Sequence, residues 1–166
     1  ARNDRDMQLA WQGAEAALID AEIDISGPNT ASASRTAIVL ADPTIPGSGC
    51  LTSGTSRGFC NSQTSGSSKP TWLNIDFTNQ GTNAPSVTLG TFTDRTFNSA
   101  GAADGTGIQP AFAPRYIIEA VPDPAYRGNM VTSSYPLARR PLYRVTAIGF
   151  GPRSDIQAVV QALYRN

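Results

Sequence analysis

The 166-residue sequence predicts an α+β fold in which a long N-terminal α-helix lies across one face of an antiparallel β-sheet. Three observations lead there. The opening stretch holds no proline and a single glycine, and is rich in the helix formers Ala, Leu, Gln and Glu. Short β-branched and aromatic runs, bounded by Pro and Gly, fill the second half. The composition, with 15 Gly, 12 Pro and only 16% charged residues, belongs to a turn-rich chain rather than a helical bundle. A helix followed by strands reads as one domain over residues 1–166, with a helix at 1–25 and strands and loops at 26–166.

The helix is predicted from Arg2 to about Ile25. Met7, Ala10, Ala14, Ala17, Leu18, Ala21 and Ile25 recur at i, i+3, i+4 and i+7, the pattern of a face laid on a core. A thinner stripe of Leu9, Ala16, Ile19 and Ile23 lies roughly opposite, interrupted by Arg5 and Gln12. Asp4 and Asp6 suit the positive end of the helix dipole, and Ser26-Gly27-Pro28 stops the helix. At a rise of 1.5 Å per residue the helix is about 36 Å long, the width of a small domain. Because the pattern starts at the first residue, Ala1 rather than Met, the chain reads as a trimmed form carrying the lower half of a longer helix.

Strands follow at Thr36–Ala41, Trp72–Phe77, Ser86–Phe92, Arg115–Val121, Leu142–Phe150 and Asp155–Tyr164. Pro114 and Pro122 delimit the fourth, and Gly151-Pro152-Arg153-Ser154 turns the fifth into the sixth as a hairpin. The Ser/Gly/Thr-rich tract at 43–70 reads as a loop, and Pro122–Pro141 as a surface excursion. A disulfide between Cys50 and Cys60 would tie the first of these loops; closing so small a ring restricts the unfolded chain by about 2–3 kcal/mol and belongs to an oxidising compartment. Two thiolates without histidine make a poor zinc site, so free thiols or metal ligands are the lesser alternatives. Trp11 and Trp72 read as packing residues.

Thirteen basic and thirteen acidic residues cancel, leaving no global field to recruit nucleic acid or an acidic membrane surface. The absence of histidine removes His-based acid/base catalysis and both Ser-His and Cys-His nucleophile pairs. No run of about 18 apolar residues is present. Gly54-Thr55-Ser56-Arg57-Gly58 matches a nucleophile elbow in letters alone, since it lies in a loop with no triad base. Lys69, the only lysine, has no S-x-x-K spacing leading into it. Asp94, Asp104 and Asp123 lack the alternating ligands of a calcium loop and read as turn residues. Gly149-Phe150-Gly151 starts like a dinucleotide fingerprint, but Ser154 stands at the third glycine position. Arg127, Arg139, Arg140 and Arg144 form a candidate patch for an anionic ligand. No catalytic residue, metal or cofactor is expected.

The run Met7 to Glu22, MQLAWQGAEAALIDAE, resembles the helix of PilX-type minor pilins of type IV pili, where an Ala-rich QAAEAALRDAE pattern recurs. Arg115-Tyr116-Ile117-Ile118-Glu119, the stretch Tyr143 to Gly151 and the Val-rich end with Tyr164-Arg165 resemble the C-terminal part of the same family. The resemblance covers the first 25 and last 50 residues. Gly13 departs from it, standing where the family usually has Ala, which weakens a helix by up to about 1 kcal/mol. The apolar N-terminal half of the pilin helix is also absent.

The resemblance implies a pilin-like fold and a non-catalytic minor pilin that promotes pilus assembly. Its partners are other minor pilins and the major pilin. It is held in the inner membrane with its domain in the periplasm, then enters the extracellular pilus. In this frame the Met7, Ala10, Ala14, Ala17, Leu18, Ala21 face meets the sheet, and the Leu9, Ala16, Ile19, Ile23 stripe meets neighbouring subunits. A tip adhesin or surface-binding module, and a minor pseudopilin of type II secretion, are the alternatives.

Overall fold

The computed structural model describes residues 2–27, 35, 49–61, 69–97, 107–121 and 142–165. Helix α1 spans Arg2–Ser26 and strand β1 Phe59–Asn61, preceded by a 3-10 turn at Gly54–Ser56. A single helical turn, α2, covers Thr71–Asn74; strands β2 (Val87–Thr88), β3 (Arg115–Val121), β4 (Leu142–Phe150) and β5 (Gln157–Arg165) follow. The strands form one five-stranded sheet in the order β1-β3-β4-β5, with β2 also on β3. The architecture is a long helix on a sheet, an α+β pilin-like fold.

The hairpin of β4 and β5 pairs nine residues of each strand, from Leu142↔Arg165 to Phe150↔Gln157. Gly151 N–H donates to the Ile156 carbonyl at 2.7 Å and closes the turn. Strand β3 pairs antiparallel with β4, with Glu119 opposite Arg144. The other edge of β3 is divided: β2 pairs antiparallel with Arg115 and Tyr116, and β1 runs parallel beside Ile118, Glu119 and Ala120. The sheet is therefore mixed, where an antiparallel one was predicted. Strand β1 comes from the tract predicted as loop.

Two further predictions change. Trp72–Phe77, expected as a strand, begins as α2. Local hydrogen bonds compete there with a ladder: Leu73 N–H donates to the Pro70 carbonyl at 3.0 Å, and Asp76 Oδ1 accepts from the Thr78 N–H at 2.9 Å. Ser86–Phe92 is cut to two paired residues because Gly90, at φ +87, turns the chain back on itself. The strand expected at Thr36–Ala41, most of the 43–70 tract and the Pro122–Pro141 excursion lie outside the described residues.

Side-chain alternation buries both faces of β3 and β4, whereas β5 leaves its reverse face exposed. On the helix side Tyr116, Ile118, Tyr143, Val145 and Ala147 meet Ala17, Ala21 and Ile25 of α1, together with Phe59, Val87, Leu89 and Phe92. On the reverse side Ile117, Ile148 and Phe150 meet Cys60 and Phe77, with Trp72 and Phe112 against them. Phe112 meets Phe150 edge-on at 5.4 Å. Nearer its N-terminus α1 rests on β5, where Ala10 and Ala14 contact Ala158.

Candidate functional site

Helix α1 is the element on which the predicted functional residues converge, and it meets the sheet through two different chemistries. In its first half the contact is backbone on backbone. A Cβ on Gly149 would overlap the Ala10 carbonyl oxygen and the Ala14 nitrogen, and a Cβ on Gly13 would lie 3.3 Å from the Gly149 Cα and 3.2 Å from Pro114 Cγ. Gly13 and Gly149 thus let helix and strand approach without side chains between them. The glycine that departs from the family pattern has a packing reason, and Gly149 lies beneath a helix rather than in a phosphate loop.

In its second half α1 buries acids. Asp24 accepts three hydrogen bonds from the Arg35 guanidinium, at 2.9, 3.0 and 2.7 Å, and both side chains are fully buried. Arg35 Nη1 also donates to the carbonyls of Thr55 and Arg57 at 2.8 and 2.6 Å. The Arg35 Cζ lies 4.4 Å from the centre of the Phe59 ring and 3.7 Å from that of Phe92. Tyr116 Oη donates to Asp24 Oδ2 at 2.9 Å; burial first, then the Asp24 charge, push its pKa well above the usual tyrosine value. Asp20 accepts from Gly90 N–H at 2.9 Å and from the Thr93 hydroxyl, with Arg95 at 4.0 Å.

The buried polar set was not anticipated, although half of its signal was present. Asp20 and Asp24 stand three and seven residues after Ala17, inside the arc of the apolar face. The cation of Asp24, 11 residues beyond it, carries no pattern.

The residues assigned to the sheet-facing side divide. Ala10, Ala14, Ala17 and Ala21 are buried, and Leu18 is half-buried against the core. Met7 is 43% exposed, contrary to expectation, because Asp6, four residues before Ala10, takes the sheet-facing position, its side chain only 13% exposed. Trp11 is 47% exposed rather than packed: it lies one residue, about 100°, past Ala10. Of the other stripe, Ile19 is 48% exposed, Leu9 and Ile23 are half-buried, and Ala16 touches the core cluster.

Elsewhere the chemistry is structural. A disulfide joins Cys50 and Cys60. Arg144 is committed to a bidentate pair with buried Glu119, at 2.8 and 2.9 Å, which raises its pKa; Arg127, Arg139 and Arg140 lie outside the described residues. Arg115 is buried among Ser86, Thr88 and Gln80, and burial, then nearby Arg57, lowers its pKa to about 10. Ser56 Oγ donates to its neighbour Ser53's carbonyl in an exposed turn, and Asp94 adopts φ 55 in a tight turn. Asp104 and Asp123 are outside the described residues. Among the described residues no group of three His, Cys, Asp or Glu is placed to hold a metal, and no helix is long and apolar enough to cross a membrane.

A match over the C-terminal part of the chain decides the family. A family model described as type IV pilus assembly protein PilX, C-terminal part, matches residues 56–166. The chain belongs to the PilX family. The match takes in every described strand and the part of the middle of the chain from residue 56 onward, and stops short of α1 and Arg35. No curated protein and no solved structure matches the chain. PilX membership makes it a type IV pilus assembly protein of minor-pilin type, in a family whose role is structural rather than catalytic.

Proposed function

We propose that this PilX-family chain is a minor pilin that promotes assembly of the type IV pilus by packing through α1, without catalysis. The observation that carries the reading is the two-sided helix. Its inner face is buried on the sheet, while Ile19, nine residues and so about 180° around the helix from Ala10, stands 48% exposed beside half-buried Leu9 and Ile23. An apolar residue facing away from the domain's own core suits a neighbouring helix. The partners are other minor pilins and the major pilin, met in the filament after a stage in which the protein is anchored in the inner membrane with its domain in the periplasm.

The test combines a deletion strain with pull-down of the membrane-anchored protein. Loss of pili and co-purification of other pilins support the assembly role; normal pili with lost surface attachment would replace it with adhesion. Ile19→Asp together with Ile23→Asp should leave the domain folded by circular dichroism yet block incorporation. Normal piliation in that double variant would sink the role given to the stripe.

A further inference from the structure

We propose that the Cys50–Cys60 disulfide is a latch on the C-terminal end of α1, acting through Arg35. The ring it closes is a small turn braced by Leu51 N–H to the Phe59 carbonyl and Gly58 N–H to the Leu51 carbonyl, both at 2.9 Å. The strand that ends it reaches both sides of the sheet. Cys60 is buried in the cluster on the reverse face, while its neighbour Phe59 is buried on the helix face. From inside the ring come the Thr55 and Arg57 carbonyls that accept from Arg35, and Phe59 supplies one of the rings that sandwich it. The helix supplies the other half of the socket, Asp24.

Besides the disulfide, this half is held by Arg57, whose guanidinium donates to the Thr52 and Thr82 carbonyls, and by β1. The ring joins the sheet through the three residues of β1, with Ile118 N–H donating to the Gly58 carbonyl at 2.8 Å. Opening the disulfide lets residues 51–58 spread, and the two carbonyls leave the guanidinium. A buried cation stripped of acceptors is costly, so Arg35 moves toward water and Asp24 loses its partner. The last two turns of α1 are then released, while the β4–β5 hairpin, held by its own nine-residue ladder, stays closed.

Amide exchange on the whole 166-residue chain tests the coupling. A dithiol reductant opens the disulfide, giving two protein thiols as it closes to its own cyclic disulfide. Reduction should speed exchange at residues 20–26 about tenfold or more and leave residues 142–165 unchanged. Arg35→Met in the oxidised chain should do the same, and reducing that variant should add little, the signature of two changes acting on one contact. Unchanged exchange at 20–26 on reduction, or effects that multiply independently, would overturn the latch. Should reduction instead unfold the chain, Arg35→Lys in the oxidised chain decides: faster exchange confined to 20–26 supports the coupling, and unaltered exchange refutes it.

Discussion

The two halves of α1 rest on the same sheet by opposite means. From Ala10 to Ala14 the helix presents only small residues to the sheet, and two glycines bring the backbones together. At Asp20 and Asp24 the contact is polar, charged and fully buried, set either side of apolar Ala21, with every partner of Asp24 supplied from outside the helix. The first half is specified by what is missing and tolerates no added atom; the second is specified by partners and tolerates no lost one. Dispersion and apolar burial hold the first; the second must offset a desolvation penalty before it contributes anything.

Asp24→Ala should break the contrast most strongly, costing about 3–5 kcal/mol in urea unfolding because it strands Arg35 and Tyr116 in the core. Replacing both charges together, Asp24→Leu with Arg35→Met, should recover most of that loss. If the double variant is no better than the single, the pair is more than a satisfied burial. Gly149→Ala comes next, about 3 kcal/mol, since the methyl group meets helix backbone that cannot rotate away.

Tyr116→Phe should cost about 1–2 kcal/mol at neutral pH by removing the hydrogen bond to Asp24. It should also alter the alkaline limb. The native phenol titrates well above 10 while the unfolded one titrates near 10, so above pH 10 the native state holds the extra proton and stability falls as pH rises. Tyr143, raised by burial, acts in the same direction, and Arg115, lowered to about 10, acts in the opposite one. The difference between parent and Tyr116→Phe across that window isolates Tyr116, and parallel profiles would contradict the assignment. Gly13→Ala should be smallest, within about 1 kcal/mol of the parent: the gain in helix propensity opposes contacts at 3.2 and 3.3 Å with Pro114 and Gly149.

The same contrast explains how much the sequence disclosed. Helix α1 and strands β3, β4 and β5 were legible because their core contacts repeat at the period of the element, as Ala10, Ala14, Ala17 and Ala21 do along the helix. Strand β1 was hidden because Phe59, Cys60 and Asn61 are too few to show a period, and because their partners Ile118, Glu119 and Ala120 lie some sixty residues on. Trp72 to Phe77 had strand composition, but Asp76 and its neighbours satisfied the backbone locally first. Gly13 was visible only as a weak helix residue until Gly149 stood beneath it. Of the candidate site, the disulfide was legible from two cysteines in one loop, whereas Arg144 looked free in sequence because nothing there places Glu119 across the strand.

The smoothness of the glycine contact bears on how a pull along the helix is carried. Smooth surfaces slide: where Gly13 faces Gly149 the contact is backbone on backbone, with Pro114 and Phe97 only alongside, so that half of α1 offers less resistance to shear along its own axis. The brake is at the other end, where Asp20 and Asp24 are bound to groups from the loops and from β3 and would have to break several hydrogen bonds at once. Stretching single molecules between the two ends of the chain should therefore show a rupture force that Asp24→Asn lowers clearly and Gly13→Ala hardly changes. A subunit built this way meets tension at the C-terminal end of its helix.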